Sequence, residues 1–319
     1  MNLPYKNKIT SISILYTHKC PIYCDHCCGN FSPKRKEKLT PKKVLDYFND
    51  ISSIKVKKIC FTGGEPFLFF DELINLISKG KRMGFKISVI SNGFWAVNEK
   101  ETRKIMRLLS KNGLAAIKIS ADEFHQKFIP IDNILNILKI SNKQIPLKTI
   151  ISFTKTKDLN HLNLLHFFKK FRKLRLLVQP VIPVGRAKNK IKKEKVLYRK
   201  IDPKAKCPMP DLPTIDAYKQ VYVCCNGILA GRNSIFHIGD TSKEELKDIL
   251  LKFKENRLIH FLKTEGPFIL VKELEKNKLR KRREIKTKKY VGVCDYCMKH
   301  LATYRKNDIE KALEKIYLK

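Results

Sequence analysis

The chain of 319 residues has no long apolar run, a single tryptophan and few acidic side chains. A membrane span requires roughly 18 consecutive apolar residues, and lysine, asparagine or serine interrupts every hydrophobic stretch here. A transmembrane protein is therefore excluded. The apolar stretch at residues 9–16 is short, half polar and followed by His-Lys-Cys, so it predicts a strand and not an export signal. We expect a cytoplasmic protein without a membrane span.

The shortage of acidic side chains leaves a large positive charge. There are 67 Lys and Arg residues against 30 Asp and Glu residues, a formal net charge of +37. Such a surface attracts polyanions, although the same number results if lysine simply replaces other exposed polar residues along the chain. The basic tracts at residues 34–38 and 279–283 have no interleaved aromatic side chains to stack on bases. No nucleic-acid partner is therefore expected, and an acidic peptide suits the charge.

Eight of the ten cysteines lie in three tight groups. In a reducing compartment such clustering indicates metal or redox chemistry rather than disulfides. The first group places Cys20, Cys24 and Cys27 with gaps of three and then two residues. Three thiolates on one short loop can hold three irons of a 4Fe-4S cluster and leave the fourth iron open to a small molecule. The alternative is a zinc site with His18 or His26 as the fourth ligand.

Short β-branched runs alternate with helical patterns after residue 10. The strand candidates are residues 11–16, 57–62, 85–90, 114–120, 147–153 and 174–182. Helix start signals lie at Thr40-Pro41, Asp71, Asn98 and Asp158, and stop signals at Gly84 and Gly113. Six such units predict parallel strands with right-handed crossovers, an α/β fold with a partial (β/α)6 barrel of the TIM type over residues 1–190. In these barrels the chemistry lies at the carboxyl ends of the strands, where the first cysteine group falls.

Polar residues and glycines follow the other predicted strands. Gly63, Gly64 and Glu65 end the second strand, where the glycines let a ligand approach the backbone and the carboxylate suits a cation. Ser91 ends the third strand, and Ser120 and Asp122 end the fourth; their polar groups suit ribose hydroxyls and the amino-acid part of a nucleoside cofactor. A bend at Gly185 follows the sixth strand, and its exposed backbone could read an adenine edge.

Together, the Cys20/Cys24/Cys27 loop, Gly63-Gly64-Glu65 and the partial barrel resemble the radical S-adenosylmethionine (SAM) superfamily over roughly residues 10–187. The resemblance implies that the three cysteines bind a 4Fe-4S cluster and that SAM chelates its fourth iron. It further implies that Glu65, with the backbone at Gly63 and Gly64, holds the methionyl ammonium. Ser91, Ser120, Asp122 and Gly185 are the implied contacts to ribose, carboxylate and adenine.

Cysteines resume after a lysine-rich connector at residues 187–206. Cys207-Pro-Met-Pro-Asp211 precedes an alternating stretch at 214–223 that suits a hairpin, and Cys224-Cys225 and the pair Cys294/Cys297 follow. These thiolates are enough for a second cluster. The spacing resembles the twitch-type auxiliary-cluster domain of radical SAM maturases, here residues 191–319. The alternative is a zinc site of Cys207, Cys224, Cys294 and Cys297.

The adjacent pair Cys224-Cys225 is the most informative feature, because neighbouring residues rarely both ligate one cluster. One thiol is then left over, and a thiol beside a radical site can donate a hydrogen atom. The full set of motifs resembles the radical SAM peptide epimerases of the YydG type. That resemblance implies that Cys225 is the hydrogen donor and that Asp211 lies at the auxiliary cluster as an oxygen ligand. The implied ligands of that cluster are Cys207, Asp211, Cys224, Cys294 and Cys297.

The implied function is inversion of L- to D-residues in a ribosomally synthesised peptide by removal of the α-hydrogen and delivery of a new one from the opposite face. The implied cofactors are SAM and two 4Fe-4S clusters. The implied partners are a precursor peptide and a one-electron donor such as flavodoxin or ferredoxin. An alternative is a maturase that forms a thioether or carbon-carbon crosslink. An alternative from a different class, favoured by charge alone, is a zinc-dependent nucleic-acid-binding protein.

Overall fold

The computed structural model describes residues 6–143, 145, 147–158, 168, 171, 175–276 and 289–318. The predicted helix after Asp158 and the basic tract at 279–283 lie mainly or wholly outside the described residues. No helix among the residues described is long and apolar enough to cross a membrane.

Six parallel strands form one side of a nine-stranded sheet in the order β6-β5-β4-β3-β2-β1. The strands are β1 (Ile12–Thr17), β2 (Lys58–Gly63), β3 (Lys86–Ser91), β4 (Ala116–Ser120), β5 (Lys148–Lys155) and β6 (Arg175–Pro180). Each matches a predicted strand to within a few residues. The prediction of a parallel α/β sheet curved into a partly open barrel is confirmed.

Four helices of 13 residues pack on the outer face of the sheet, and two of four residues pack near the first cysteine group. In the first part of the chain they are α1 (Pro41–Ser53), α2 (Phe70–Arg82), α3 (Glu99–Lys111), α4 (Glu123–Gln126), α5 (Ile131–Lys143) and α6 (Ala187–Lys190). Thr40 and Asn98 are the predicted N-caps, since their side chains accept from the amides of Lys43 and Glu101. The start signal at Asp71 is in the first turn of α2, one residue after the helix begins. Sequence start signals therefore located these helices well.

Alternation along the strands separates two faces of the sheet. In β4, Ile117 and Ile119 are fully buried in the main hydrophobic cluster with residues of α3 and α5. Lys118 and Ser120 point to the opposite face, which is only partly buried. The concave face of β4 consequently carries polar groups, and the core lies between sheet and helices.

The second part of the chain extends the same sheet. The predicted hairpin is present as β7 (Thr214–Ile215) and β8 (Gln220–Tyr222), which pair antiparallel, and β9 (His237–Asp240) follows on β8. β7 pairs parallel with β1, with Ser13 opposite Thr214. The sheet is thus continuous across residue 190. The remaining helices are α7 (Gly227–Ala230), α8 (Leu246–Lys254), α9 (Arg257–Thr264), α10 (Pro267–Lys276), α11 (Val293–Lys299) and α12 (Lys306–Tyr317).

Candidate active site

The first cysteine group lies on the loop between β1 and α1, at the carboxyl edge of the sheet. The amide of Cys20 donates to the Ser32 carbonyl at 3.1 Å, and the amide of Cys27 donates to the Cys24 carbonyl at 3.1 Å. Cys20 and Cys24 are buried. Burial raises the pKa of the Cys20 thiol to about 12, and the charges of Glu65 and Cys27 add to the effect. Burial likewise raises the pKa of Cys24, and the charges of Asp122, Cys20 and Cys27 add to the effect, so a bound cation would be needed to stabilise Cys20 and Cys24 as thiolates.

Arg186 holds this loop, and sequence reasoning gave it no role. Its guanidinium donates to the Cys24 carbonyl at 2.7 Å and to the Phe31 carbonyl at 2.6 Å, and lies 3.3 Å from the centroid of the Tyr23 ring. Lysine cannot reproduce a two-pronged contact of this kind. The signal in the sequence was an arginine directly after the predicted Gly185 bend in a chain dominated by lysine.

Gly185 also packs on the cysteine loop. Its φ of +56° lies in the left-handed region, and a Cβ there would lie 2.0 Å from the carbonyl oxygen of Cys28. The glycine is thus required for close backbone contact between the end of the barrel and the loop. The predicted contact of its backbone with adenine remains a prediction.

Gly185→Ala is expected to lower the free energy of unfolding by about 1 to 2 kcal/mol for the left-handed backbone and by about 1 to 3 kcal/mol more for the overlap with Cys28. The displaced loop should also hold less iron. Gly84→Ala is the matched control, since its φ is +81° but its Cβ would meet only the Lys57 ammonium at 3.9 Å. Denaturant unfolding and iron analysis of both variants test this; equal losses would show that backbone strain alone matters.

Gly63 and Gly64 join the end of β2 to the cysteine loop. A Cβ on Gly64 would lie 2.1 Å from the Lys19 carbonyl oxygen, and the Gly64 amide donates to the Thr17 carbonyl at 2.7 Å. The neighbouring Glu65 amide donates to the Lys19 carbonyl at 2.9 Å. The two glycines therefore have a structural reason beside the predicted ligand contact, because any larger residue would push the loop away.

The Glu65 carboxylate is completely buried beneath this loop, with 0% exposure. Its two oxygens accept from the amides of Phe67 at 3.1 Å and Asn92 at 2.7 Å. Burial raises its pKa to about 7, although these hydrogen bonds favour the ionised form. A carboxylate oxygen can accept a second hydrogen bond, so Glu65 retains acceptor capacity for a cofactor amine.

The end of β3 contributes Ser91 and Asn92. The Ser91 hydroxyl accepts from the Trp95 indole at 3.0 Å and from the Gly93 amide at 3.1 Å. The Asn92 side chain approaches the Cys20 sulfur at 3.9 Å. Asn92 therefore links Glu65 to a cysteine of the loop. The sequence pattern placed Asn92 at a polar strand end but did not predict this role.

Asp122 lies at the start of α4, just beyond the end of β4 at Ser120. Its carboxylate contacts the His125 ring at 2.8 Å and the Thr154 amide at 3.1 Å, and His26 lies 3.7 Å away. Burial opposes its ionisation, but the charges of both histidines and the hydrogen bonds of His125 lower its pKa to about 2. Asp122 is thus an anion engaged by protein groups at the edge of the cysteine loop.

Metal-ligand spacing at the first cysteine group suits a single ion as well as a cluster. Among the described residues, the one group of three ligand atoms within 4.8 Å of one another is Cys24, His26 and His125. Two of them, Cys24 and His26, belong to the zinc alternative. His18, the other proposed fourth ligand, has its ring against Arg35 at 3.2 Å. The spacing of these ligand atoms therefore does not exclude zinc.

The remaining cysteines of the second part converge on one apolar cavity. Its lining includes Cys207, Cys224, Cys294 and Cys297, with Val223, Phe236, Ile259, Leu262 and Met298 among the other walls. Burial raises the pKa of each of these four thiols, and the charges of neighbouring cysteines, with Cys225 among them for three of the four, raise it further. Asp211 does not line this cavity; its carboxylate pairs with the Lys263 ammonium at 3.1 Å.

Cys225 and Cys28 are accessible thiols that interact with each other electrostatically. The protein around them raises the pKa of both, that of Cys28 to about 12. The charge of the Lys118 ammonium lowers the pKa of both Cys225 and Cys60, against the larger effect of desolvation. Because Lys118 lies on the inner face of β4, Cys225 adjoins the polar interior of the barrel.

The fold and this cysteine-lined edge define an iron-sulfur enzyme of the partial-barrel class. Residues 14–158 match the model of the radical SAM superfamily. Over 273 residues, 82% of each chain, the sequence is 30% identical to the putative peptide biosynthesis protein YydG of Bacillus subtilis strain 168. The chain belongs to the radical SAM superfamily, whose cofactors are SAM and a 4Fe-4S cluster. A zinc-dependent nucleic-acid-binding protein is therefore not supported.

Two further comparisons extend this result. The GTP 3',8-cyclase of Aquifex aeolicus strain VF5 is 29% identical over 181 residues, which are 51% of this chain and 53% of the cyclase. The solved structure described as native anSMEcpe with bound AdoMet and Cp18Cys peptide superposes with a TM-score of 0.54 at 15% identity, covering 96% of this chain and 99% of that one. This likeness shows that the fold extends through the second part of the chain.

Proposed function

We propose that this protein is a radical SAM peptide epimerase that converts L- to D-residues in a ribosomally synthesised peptide. The observation that carries the proposal is an accessible thiol, Cys225, adjoining the barrel interior and directly following a cysteine of the second cavity. The relative YydG, a putative peptide biosynthesis protein, supports a peptide as the substrate. The proposed division into a barrel of residues 1–190 and an auxiliary unit of residues 191–319 follows the two cysteine sites.

Cys20, Cys24 and Cys27 would hold the 4Fe-4S cluster, and Asn92 and Arg186 would fix the loop that carries them. Glu65, with the backbone at Gly63 and Gly64, would bind the amino group of SAM. When bound, SAM and the reduced cluster supply the radical that removes a hydrogen atom from the substrate. Ser91, Ser120, Asp122 and Gly185 would line the rest of the cofactor site at the carboxyl edge of the barrel.

Cys207, Cys224, Cys294 and Cys297 would hold the auxiliary cluster. All four thiols line one apolar cavity, and membership of the radical SAM superfamily supports iron and sulfide over a single zinc ion there. Asp211 would have to give up its ion pair with Lys263 to bind an iron as an oxygen ligand. A ligand set of the four thiolates alone requires no such rearrangement. Donation of a hydrogen atom would leave a thiyl radical on Cys225, and an auxiliary cluster beside it would offer a route for the electron that, with a proton from water, restores the thiol.

Cys225 is the proposed hydrogen donor. A thiolate has no hydrogen atom to give. The protein around Cys225 partly desolvates its sulfur and raises its pKa, which keeps the thiol protonated at neutral pH. A peptide carbon that has lost its α-hydrogen is planar, so the face on which the new hydrogen arrives decides the configuration. Delivery by Cys225 from the face opposite to abstraction gives the D-residue. A one-electron donor such as flavodoxin or ferredoxin is the proposed second partner.

Turnover in deuterated water tests this function. The exchangeable thiol hydrogen of Cys225 becomes deuterium, so each inverted residue should gain about one mass unit, while the product made in ordinary water keeps the substrate mass. Chiral amino-acid analysis after hydrolysis should find the D-residue at the labelled position. A product lighter by two hydrogen atoms would instead establish the crosslinking alternative. A reaction without SAM is the control, and it should yield neither label nor D-residue.

A further inference from the structure

A large groove is lined in part by segments that adjoin Cys28 and Cys225. It has a volume of about 840 Å³ and runs between the connector after β6 and the helix α11. The two walls are tied together by Arg199 and Tyr290, whose backbones exchange hydrogen bonds at 2.9 and 2.8 Å. The lysine-rich connector, for which composition indicated only a linker, therefore forms one side of a defined binding surface.

The inner end of the groove reaches the proposed radical site. Gly185 is part of its lining, and this glycine contacts the backbone of Cys28. Leu229 is also part of the lining and lies on α7, four residues after Cys225. A chain lying in the groove would consequently pass close to the segments that carry the two thiols.

The lining carries three ammonium groups, those of Lys188, Lys193 and Lys299, against two carboxylates, those of Glu275 and Asp295. Lys188 and Lys193 are exposed along the connector wall. On the other wall, Lys299 is fixed between the Asp295 carboxylate, at 2.8 Å, and the ring of Tyr198, at 4.8 Å. Asp295 is only 1% exposed, and it also accepts from the Val291 amide at 3.0 Å. The negative charge of Asp295 is therefore largely neutralised by groups of the protein itself.

Apolar groups lie between these charges. The side chains that contribute them are Ile191, Val196, Leu229 and Met298. A ligand that combines acidic with apolar side chains complements this arrangement, because the lysines pair with the carboxylates and the apolar strip removes hydrophobic side chains from water.

We propose that this groove binds an acidic segment of the substrate peptide next to the residue presented to Cys225. The proposal rests on the proposed function and names the substrate class that the enzyme selects. The general charge of the chain, +37, would attract any anion weakly, so the claim is that Lys188 and Lys193 contribute far more than lysines elsewhere.

A matched pair of charge reversals tests the groove on the full-length protein with its clusters bound. One variant is Lys188→Glu with Lys193→Glu. The control is Lys100→Glu with Lys104→Glu on α3, where a separate basic surface has Arg103 and Arg107 as neighbours. Both double variants change the net charge equally, and Lys188 and Lys193 are exposed, so iron content and circular dichroism should match those of the original protein.

The probes are two synthetic fluorescein-labelled ten-residue peptides of Ala, Val and Glu, one of them with every Glu replaced by Gln. Fluorescence anisotropy should find the Glu peptide bound at least tenfold more tightly than the Gln peptide. The groove variant should lose that preference, and the α3 variant should keep its affinity within twofold. Equal losses in both variants, or no preference for the Glu peptide in the original protein, would overturn the proposal.

The two proposals fail in different ways. Acidic peptide bound in the groove with no D-residue formed would contradict the epimerase function and leave the groove intact. D-residue formation that is unchanged in the Lys188/Lys193 variant would contradict the groove alone. If that variant slows reduction of the clusters by flavodoxin without changing peptide affinity, the groove binds the electron donor, and the proposal is wrong.

Discussion

Cys225→Ala is expected to reduce formation of the D-residue at least a hundredfold while SAM cleavage continues. The variant removes the one S–H group proposed to meet the planar peptide centre, and alanine leaves no hydrogen atom that can be released at that position. The residue follows Cys224, but iron bound at the second cysteine site should be unchanged, because the four other thiols line that cavity. Chiral analysis of the peptide and chromatography of the cleaved nucleoside measure the two quantities in one reaction.

Cys28→Ala is the control that the structure provides. Cys28 is the other accessible thiol at this position and interacts electrostatically with Cys225, so it is the competing donor. Its alanine variant should retain D-residue formation to within a fewfold. If Cys28→Ala loses D-residue formation and Cys225→Ala retains it, Cys28 is the donor. If both variants still invert the peptide residue, donation by a thiol is wrong.

Cys20→Ala is expected to abolish SAM cleavage and to remove about four irons per chain, the content of one cluster. The cluster then lacks one of its three protein ligands, and the buried carboxylate of Glu65 remains without its proposed cofactor. Cys297→Ala should likewise remove about four irons, but from the second site, and should leave the first cluster able to bind SAM. Iron and sulfide analysis under nitrogen, with the visible spectrum, distinguishes the two losses.

Cys60→Ala is the matched control for both cluster variants. Cys60 lies on the inner face of β2, its sulfur approaches the Phe61 carbonyl at 3.8 Å, and Lys118 is its charged neighbour. Its replacement should leave the iron content unchanged. Retention of full iron content by Cys20→Ala would contradict the proposed ligand set, and with it the assignment of the amino-terminal cysteine loop as the SAM site.

Local patterns in the sequence determined much of this protein. Alternating and helical periodicities located the six parallel strands, and the side chains of Thr40 and Asn98 predicted where α1 and α3 begin, because caps act within one turn. The spacing of Cys20, Cys24 and Cys27 indicated an iron-sulfur loop, since three ligands on one short segment are a local property. These features depend on residues close together in the chain.

Only the tertiary structure decided which distant residues meet. Arg186 reaches the carbonyls of Cys24 and Phe31 across more than 150 positions, and Asp211, in a turn before β7, pairs with Lys263 on α9. The pairing of β7 with β1 joins the second part of the chain to the barrel sheet, and the connector becomes a groove wall only where Arg199 meets Tyr290. Such contacts depend on packing between elements remote in sequence, and no local spacing records them.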